Sequence, residues 1–157
     1  MSVPITEWSD ALIGAARTLA STTLGVEITV DAAGCHDHKE PAAGSYIALV
    51  GETTSLQIGL SASPEGCQAL ARAFLAMEAG EPDLPDGDVA DALGEMANIL
   101  AGDVKRRMAG RDPALKLGLP IVVRGRVDTS ERLETLTAAL LVGTVRTEAL
   151  VLRERGT

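Results

Sequence analysis

The sequence predicts an α+β fold with long helices packed on one face of a largely antiparallel β-sheet. Three observations predict it. Apolar residues recur at helical spacing in three segments, and they alternate at strand spacing in the segments between and after these. The strand-like segments also come mostly in hairpin-like pairs, which favour an antiparallel sheet. At 157 residues and 46% apolar content, the chain is expected to form one domain over residues 1–157, long enough to bury a real core.

Ile5, Trp8, Leu12, Ala16 and Leu19 define a first helix over about 6–22, ending near Gly25. "VEITV" at 26–30 alternates as a strand, and the polar stretch "DAAGCHDHKEPAAG" interrupts. "SYIALVGETTSLQIGLSAS" follows as a hairpin, with Leu56, Ile58 and Leu60 on one face. Ser63 and Pro64 supply an N-cap and a first-turn proline for a helix that turns Cys67, Leu70, Ala71, Phe74 and Leu75 inward. "AGEPDLPDGD" ends it, and "DVADALGEMANILAGDVKRRM" at 88–108 forms the next helix. Beyond "AGRDPALKLG" the pattern is β-like in "LPIVVRGRV", "ETLTAALLVG" and "EALVLRER", with no internal repeat or low-complexity tract.

Composition excludes several functions. Aromatics make up 2% of the chain (Trp8, Tyr46 and Phe74), so the core is aliphatic and no platform exists for stacking bases. The formal charge of −8 would repel a phosphate backbone, so nucleic acid is not an expected partner. No apolar run approaches the roughly 18 residues of a membrane span, and "MSVPITEWSD" lacks the basic-then-apolar order of a signal peptide. No membrane association and a cytoplasmic location are therefore expected. Cys35 and Cys67 are too few for a disulfide framework, and Cys67 reads as a small core residue.

The helix over 88–108 carries the functional question. At about 100° per residue, Val89, Leu93, Met96, Leu100 and Val104 gather on one side, while Asp91, Glu95, Asn98, Gly102 and Lys105 form a stripe facing away from the core. Asn98 is the single asparagine of the chain. Relative to alanine, an interior Asn costs roughly half a kcal/mol and Gly about 1 kcal/mol, so stability did not select this pair. Most exposed glutamates make intrahelical ion pairs, but Glu95 has Asp91, Ala92, Asn98 and Ile99 at three and four residues' distance and no cation among them. A carboxylate and an amide one turn apart are thus left for something outside the helix.

"DALGEMANILAGDVK" resembles the signature segment of the CheX-type chemotaxis phosphatases, the CheC, CheX and FliY group, whose sites carry Glu-x-x-Asn on a long helix followed by Ala-Gly and often Lys. "GETTSLQIGLSASPEGCQALARAFLAMEAG" is similar to that family's hairpin and helix, and "LGLPIVVRGR" to its Leu-Pro-containing strand, so the resemblance covers nearly the whole chain. It implies a CheX-like fold and Glu95 and Asn98 as the catalytic pair. The substrate it implies is the aspartyl phosphate of a response-regulator receiver domain. Glu95 would pair with the receiver's lysine, and the Mg²⁺ would belong to the receiver, so that this chain needs no cofactor of its own. Two departures stand out. Ser55 replaces a common hairpin glycine, and Asp103 replaces a common uncharged residue and adds negative charge near the site.

The amide suits that chemistry. Acyl-phosphate hydrolysis needs a water held in line with the breaking bond, and the benefit comes from positioning and electrostatics. The Asn98 carbonyl oxygen can accept a hydrogen bond from the water while its NH₂ donates to a phosphoryl oxygen or solvent; a carboxylate there would be repelled. Gly102 would let partner backbone approach, and Asp91 and Lys105 complete the expected partner-binding stripe. The resemblance also implies a homodimer through a sheet continued across subunits, both site helices staying exposed. A chain ending in two apolar strands is expected to leave a sheet edge open for this.

The rival sites are weaker. Cys35, His36 and His38 could bind a metal, but adjacent residues rarely wrap one ion and no second His or Cys cluster completes a tetrahedral set. Lys105, Arg106 and Arg107 fall where cations complement the helix dipole. No phosphate-binding Gly-rich loop or Ser/His/Asp arrangement is recognisable. The alternative to a phosphatase is a receiver-binding or adaptor module of the same fold, and the presence of both Glu95 and Asn98 favours the enzyme.

Overall fold

A computed structural model describes residues 2–31, 34 and 40–155. The first helix, α1 (Ile5–Leu19), continues as one π-helical turn over Ala20–Leu24. Gly25 then adopts φ 70°, the left-handed conformation that glycine enters without a Cβ clash, and the chain stops being helical at the position the sequence indicates. Strands β1 (Ile28–Val30), β2 (Ala43–Val50) and β3 (Ser55–Ala62) follow. Next come helices α2 (Pro64–Phe74) and α3 (Asp86–Arg107), and then β4 (Lys116–Leu117), β5 (Ile121–Arg124), β6 (Leu133–Val142) and β7 (Val145–Glu154). The Ser63 hydroxyl accepts from the Gly66 amide at 3.0 Å and Pro64 opens the helix, so α2 starts with both expected signals.

All seven strands form one antiparallel sheet, ordered β1-β6-β7-β3-β2-β4, with β5 also pairing β2. Leu56, Ile58 and Leu60 of β3, Ala149 and Val151 of β7, and Ile47 and Leu49 of β2 point to one face, where they join Trp8, Leu12 and Leu19 of α1, Leu70 of α2, and Met96, Leu100 and Val104 of α3 in the core. The α+β fold with helices on one face is therefore observed. On the reverse face Tyr46 is buried beside a cleft of about 360 Å³ that residues 125–129 help to line.

Two expectations need correction. Leu75 is not an inward residue: α2 ends one residue earlier and Leu75, its C-cap, is exposed. "LPIVVRGRV" is a strand only in part: Leu119 and Pro120 belong to a bulge between β4 and β5, in which Gly118, Leu119 and Pro120 pass opposite Ile47 and Ala48 of β2 as the chain runs on along the same edge. Only Ile121–Arg124 pair with β2. The expected open edge is present on one of the two terminal strands. β7 lies between β3 and β6, and among the described residues the outer side of β6 is paired by β1 only over Leu140–Val142. The possible metal cluster of Cys35, His36 and His38 lies outside the described residues.

Candidate functional site

The site is built on α3, which packs between α1 and α2 over the sheet. Small residues make that close seating possible. Ala92, Ala97 and Ala101 of α3 and Ala11, Ala15 and Ala16 of α1 are buried, as are Leu93, Met96, Leu100 and Val104. Burying that face drives the opposite one outward, and Asp91, Glu95, Asn98, Gly102 and Lys105 are all exposed. At 100° per residue these five fall within about 80° of arc. The side chains of Glu95 and Asn98 make no hydrogen bond or ion pair with any described residue, and the same holds for those of Asp91 and Lys105. The structure therefore brings together the five residues the sequence singled out, and leaves their functional groups unspent.

Asp103 behaves differently from its expectation. It lies about 140° around the helix from Asn98, and its carboxylate is held by Arg106 and by Arg107, the latter at 3.3 Å. Arg107 also donates to the Gly14 carbonyl at 3.1 Å and the Thr18 hydroxyl at 3.0 Å, tying the end of α3 to α1. Asp103 thus adds little net charge to the stripe, and Arg106 and Arg107 do more than complement the dipole.

One flank of the stripe is formed by a feature that sequence reasoning missed. Pro120, in the bulge between β4 and β5, packs against Gly94, where an added Cβ would sit 3.8 Å from the ring. The Gly118 amide donates to the Ala48 carbonyl at 2.9 Å, so this bulge is fixed on β2 and laid alongside the helix. The available signal was a glycine and a proline on either side of Leu119 in a strand-like run, residues that mark an interrupted ladder. Nearer the start of α3, Cys67, Val89, Ala90, Leu93 and Val122 line a largely apolar recess of about 220 Å³, bounded by the exposed Arg124–Asp86 pair at 3.5 Å.

The chemistry available is limited and specific. Small-molecule sites are concave, whereas Glu95 and Asn98 stand on the outer surface of a helix with their partners missing. Such a pair can act only against another surface that supplies the reacting group and whatever neutralises it. Among the described residues, no group of three His, Cys, Asp or Glu side chains is placed to hold a metal ion. No helix there is long and apolar enough to cross a membrane. Cys67 is not a candidate nucleophile, since burial pushes its thiol up to about 11.

Comparison with known proteins gives the same direction. A family profile described as chemotaxis phosphatase CheX matches residues 43–138. The fold is similar to that of chemotaxis protein CheX from Vibrio vulnificus, at 15% identity and TM-score 0.75, covering 97% of this chain and 100% of that one. It is also similar to a chain of the CheX–CheY–BeF3–Mg²⁺ complex from Borrelia burgdorferi, at 16% identity and TM-score 0.69, covering 93% and 96%. The FliM middle domain from Vibrio alginolyticus shares the fold at 10% identity and TM-score 0.60, covering 96% and 94%. No curated protein matches in sequence.

Proposed function

Because the chain belongs to the CheX family of chemotaxis phosphatases, we propose that it hydrolyses the aspartyl phosphate of a CheY-type response-regulator receiver domain. The observation that carries this reading is the exposed, unpartnered pair Glu95 and Asn98, one turn apart on the outer side of a buried helix. Water attacks phosphorus, the bond to the receiver's aspartate oxygen breaks, and inorganic phosphate and a free carboxylate result. Asn98 accepts a hydrogen bond from the attacking water through its carbonyl oxygen and fixes it in line. Glu95 pairs with the receiver's lysine and sets the depth and angle at which Asn98 enters. Mg²⁺ would be held by the receiver and would supply charge neutralisation at the phosphoryl group, and the solved CheX–CheY complex with BeF3 and Mg²⁺ supports assigning the metal to the partner. Gly102 gives the receiver backbone room, and Asp91 and Lys105 border its footprint.

The reading implies a cytoplasmic protein, and with the family resemblance a two-fold homodimer. Its test is the decay of a phosphorylated CheY-type receiver with and without the protein. Acceleration by the wild type and none by Asn98→Ala is the expected result, and no acceleration by the wild type refutes it. A non-catalytic adaptor is the second reading, favoured by the fold shared with the FliM middle domain. It requires receiver binding with unchanged phosphate release.

A further inference from the structure

Leu119 is 87% exposed, the most exposed of the large apolar residues described, and it stands in the bulge between β4 and β5, which is not loose. Gly118 on one side is hydrogen-bonded to β2, and Pro120 on the other is packed on Gly94, one turn before Asn98. Single exposed leucines are ordinary on protein surfaces. Here the backbone is held on both sides while the side chain is left almost wholly in water, and nothing in the bulge calls for an apolar side chain. A second exposed apolar residue, Ile99, is 43% accessible and lies on the helix between Glu95 and Gly102, at the opposite margin of the stripe. Glu95 and Asn98 are thus flanked on both margins by exposed apolar side chains. Asp88, Asp91 and Glu95 make the face between them acidic, with no ion pair among the described residues to neutralise it.

We infer that Leu119 is the apolar anchor of the docking surface, with Ile99 as its lesser counterpart, and that its occupant is the receiver domain itself. This rests on the reading given under Proposed function. The partner surface must place a cation opposite Glu95 and an apolar patch opposite Leu119. Charge then favours approach and orientation, while burial of Leu119 holds the complex together. Leu119 does not touch the reacting atoms. Its removal weakens binding in ground and transition states alike and leaves the chemical step intact.

The experiment titrates wild type, Leu119→Ala and Leu119→Met against CheY-type receivers of the same genome loaded with beryllofluoride and Mg²⁺, and measures dephosphorylation over a range of receiver concentrations. Leu119→Ala should lower affinity about tenfold and raise the half-saturating receiver concentration equally, with the maximal rate unchanged. Leu119→Met should stay within about twofold of wild type. Thermal melts of the variants should match wild type, since the side chain lies outside the core. If wild type is active and Leu119→Ala binds as wild type does, the anchor is refuted and the phosphatase reading stands. A fall in maximal rate at unchanged affinity also refutes it. Failure of wild type both to bind and to dephosphorylate any receiver removes the phosphatase reading, and the anchor with it.

Discussion

Asn98 and Glu95 should fail in different ways when truncated. Asn98→Ala replaces an exposed helical residue by a better helix former, so the fold should gain up to about half a kcal/mol while stimulated dephosphorylation falls about a hundredfold or more. A melt and a single-turnover assay on the same variant separate the two effects, and marked unfolding would make Asn98 structural. Glu95→Ala removes an ion pair made both before and during reaction, so it should chiefly weaken the complex; unchanged receiver affinity would exclude the anchoring role. Cys67 gives a test remote from the site. Burial raises its thiol from 9.0 to about 11, so the neutral form is favoured by folding. Its contribution to stability is complete below about pH 9 and is lost as pH rises toward 11. Urea unfolding of wild type and Cys67→Ala should therefore show a stability difference that is constant below that window and changes against the wild type within it.

At the scale of the element, α3 shows what sequence can and cannot convey. Its faces are legible because burial follows a 3.6-residue period, and the same count that puts Leu93, Met96, Leu100 and Val104 inside puts Glu95 and Asn98 outside. Its neighbours are not legible. Arg107 meets Gly14 and Thr18 from some 90 positions away, and Pro120 reaches Gly94 because β4 and β5 happen to share β2, a matter of strand order that no local pattern encodes. Asp103 is a different case: its partners Arg106 and Arg107 lie three and four residues on along the same helix, so that pairing is legible in the local spacing. Gly102 offers a clean test of function against stability. A Cβ there meets nothing within 4 Å, so no contact in the chain requires glycine. Gly102→Ala should stabilise α3 by about 1 kcal/mol and weaken receiver binding if partner backbone approaches at that turn. Equal affinity in a binding titration would show that it does not.

At the scale of the whole molecule, strand order decides how two copies could share receivers. Light scattering at micromolar concentration should give a dimer mass; a monomer mass would exclude the assembly. Among the described residues, beside the outer sides of the short strands β1 and β4, the longer stretches of edge open to a second chain are the outer side of β6 before Leu140 and that of β5. β2, which lies under α3, is three strands from the first and one from the second. With strands about 4.8 Å apart, joining at β6 separates the two β2 strands by seven steps, about 34 Å, and joining at β5 by three, about 14 Å. A domain of about 100 residues has a radius of gyration near 13 Å and so a width of about 34 Å. A β6 junction therefore seats two receivers side by side, whereas a β5 junction makes them compete for one berth. The stoichiometry of a receiver titration, two per dimer or one, reports which edge of the sheet is joined.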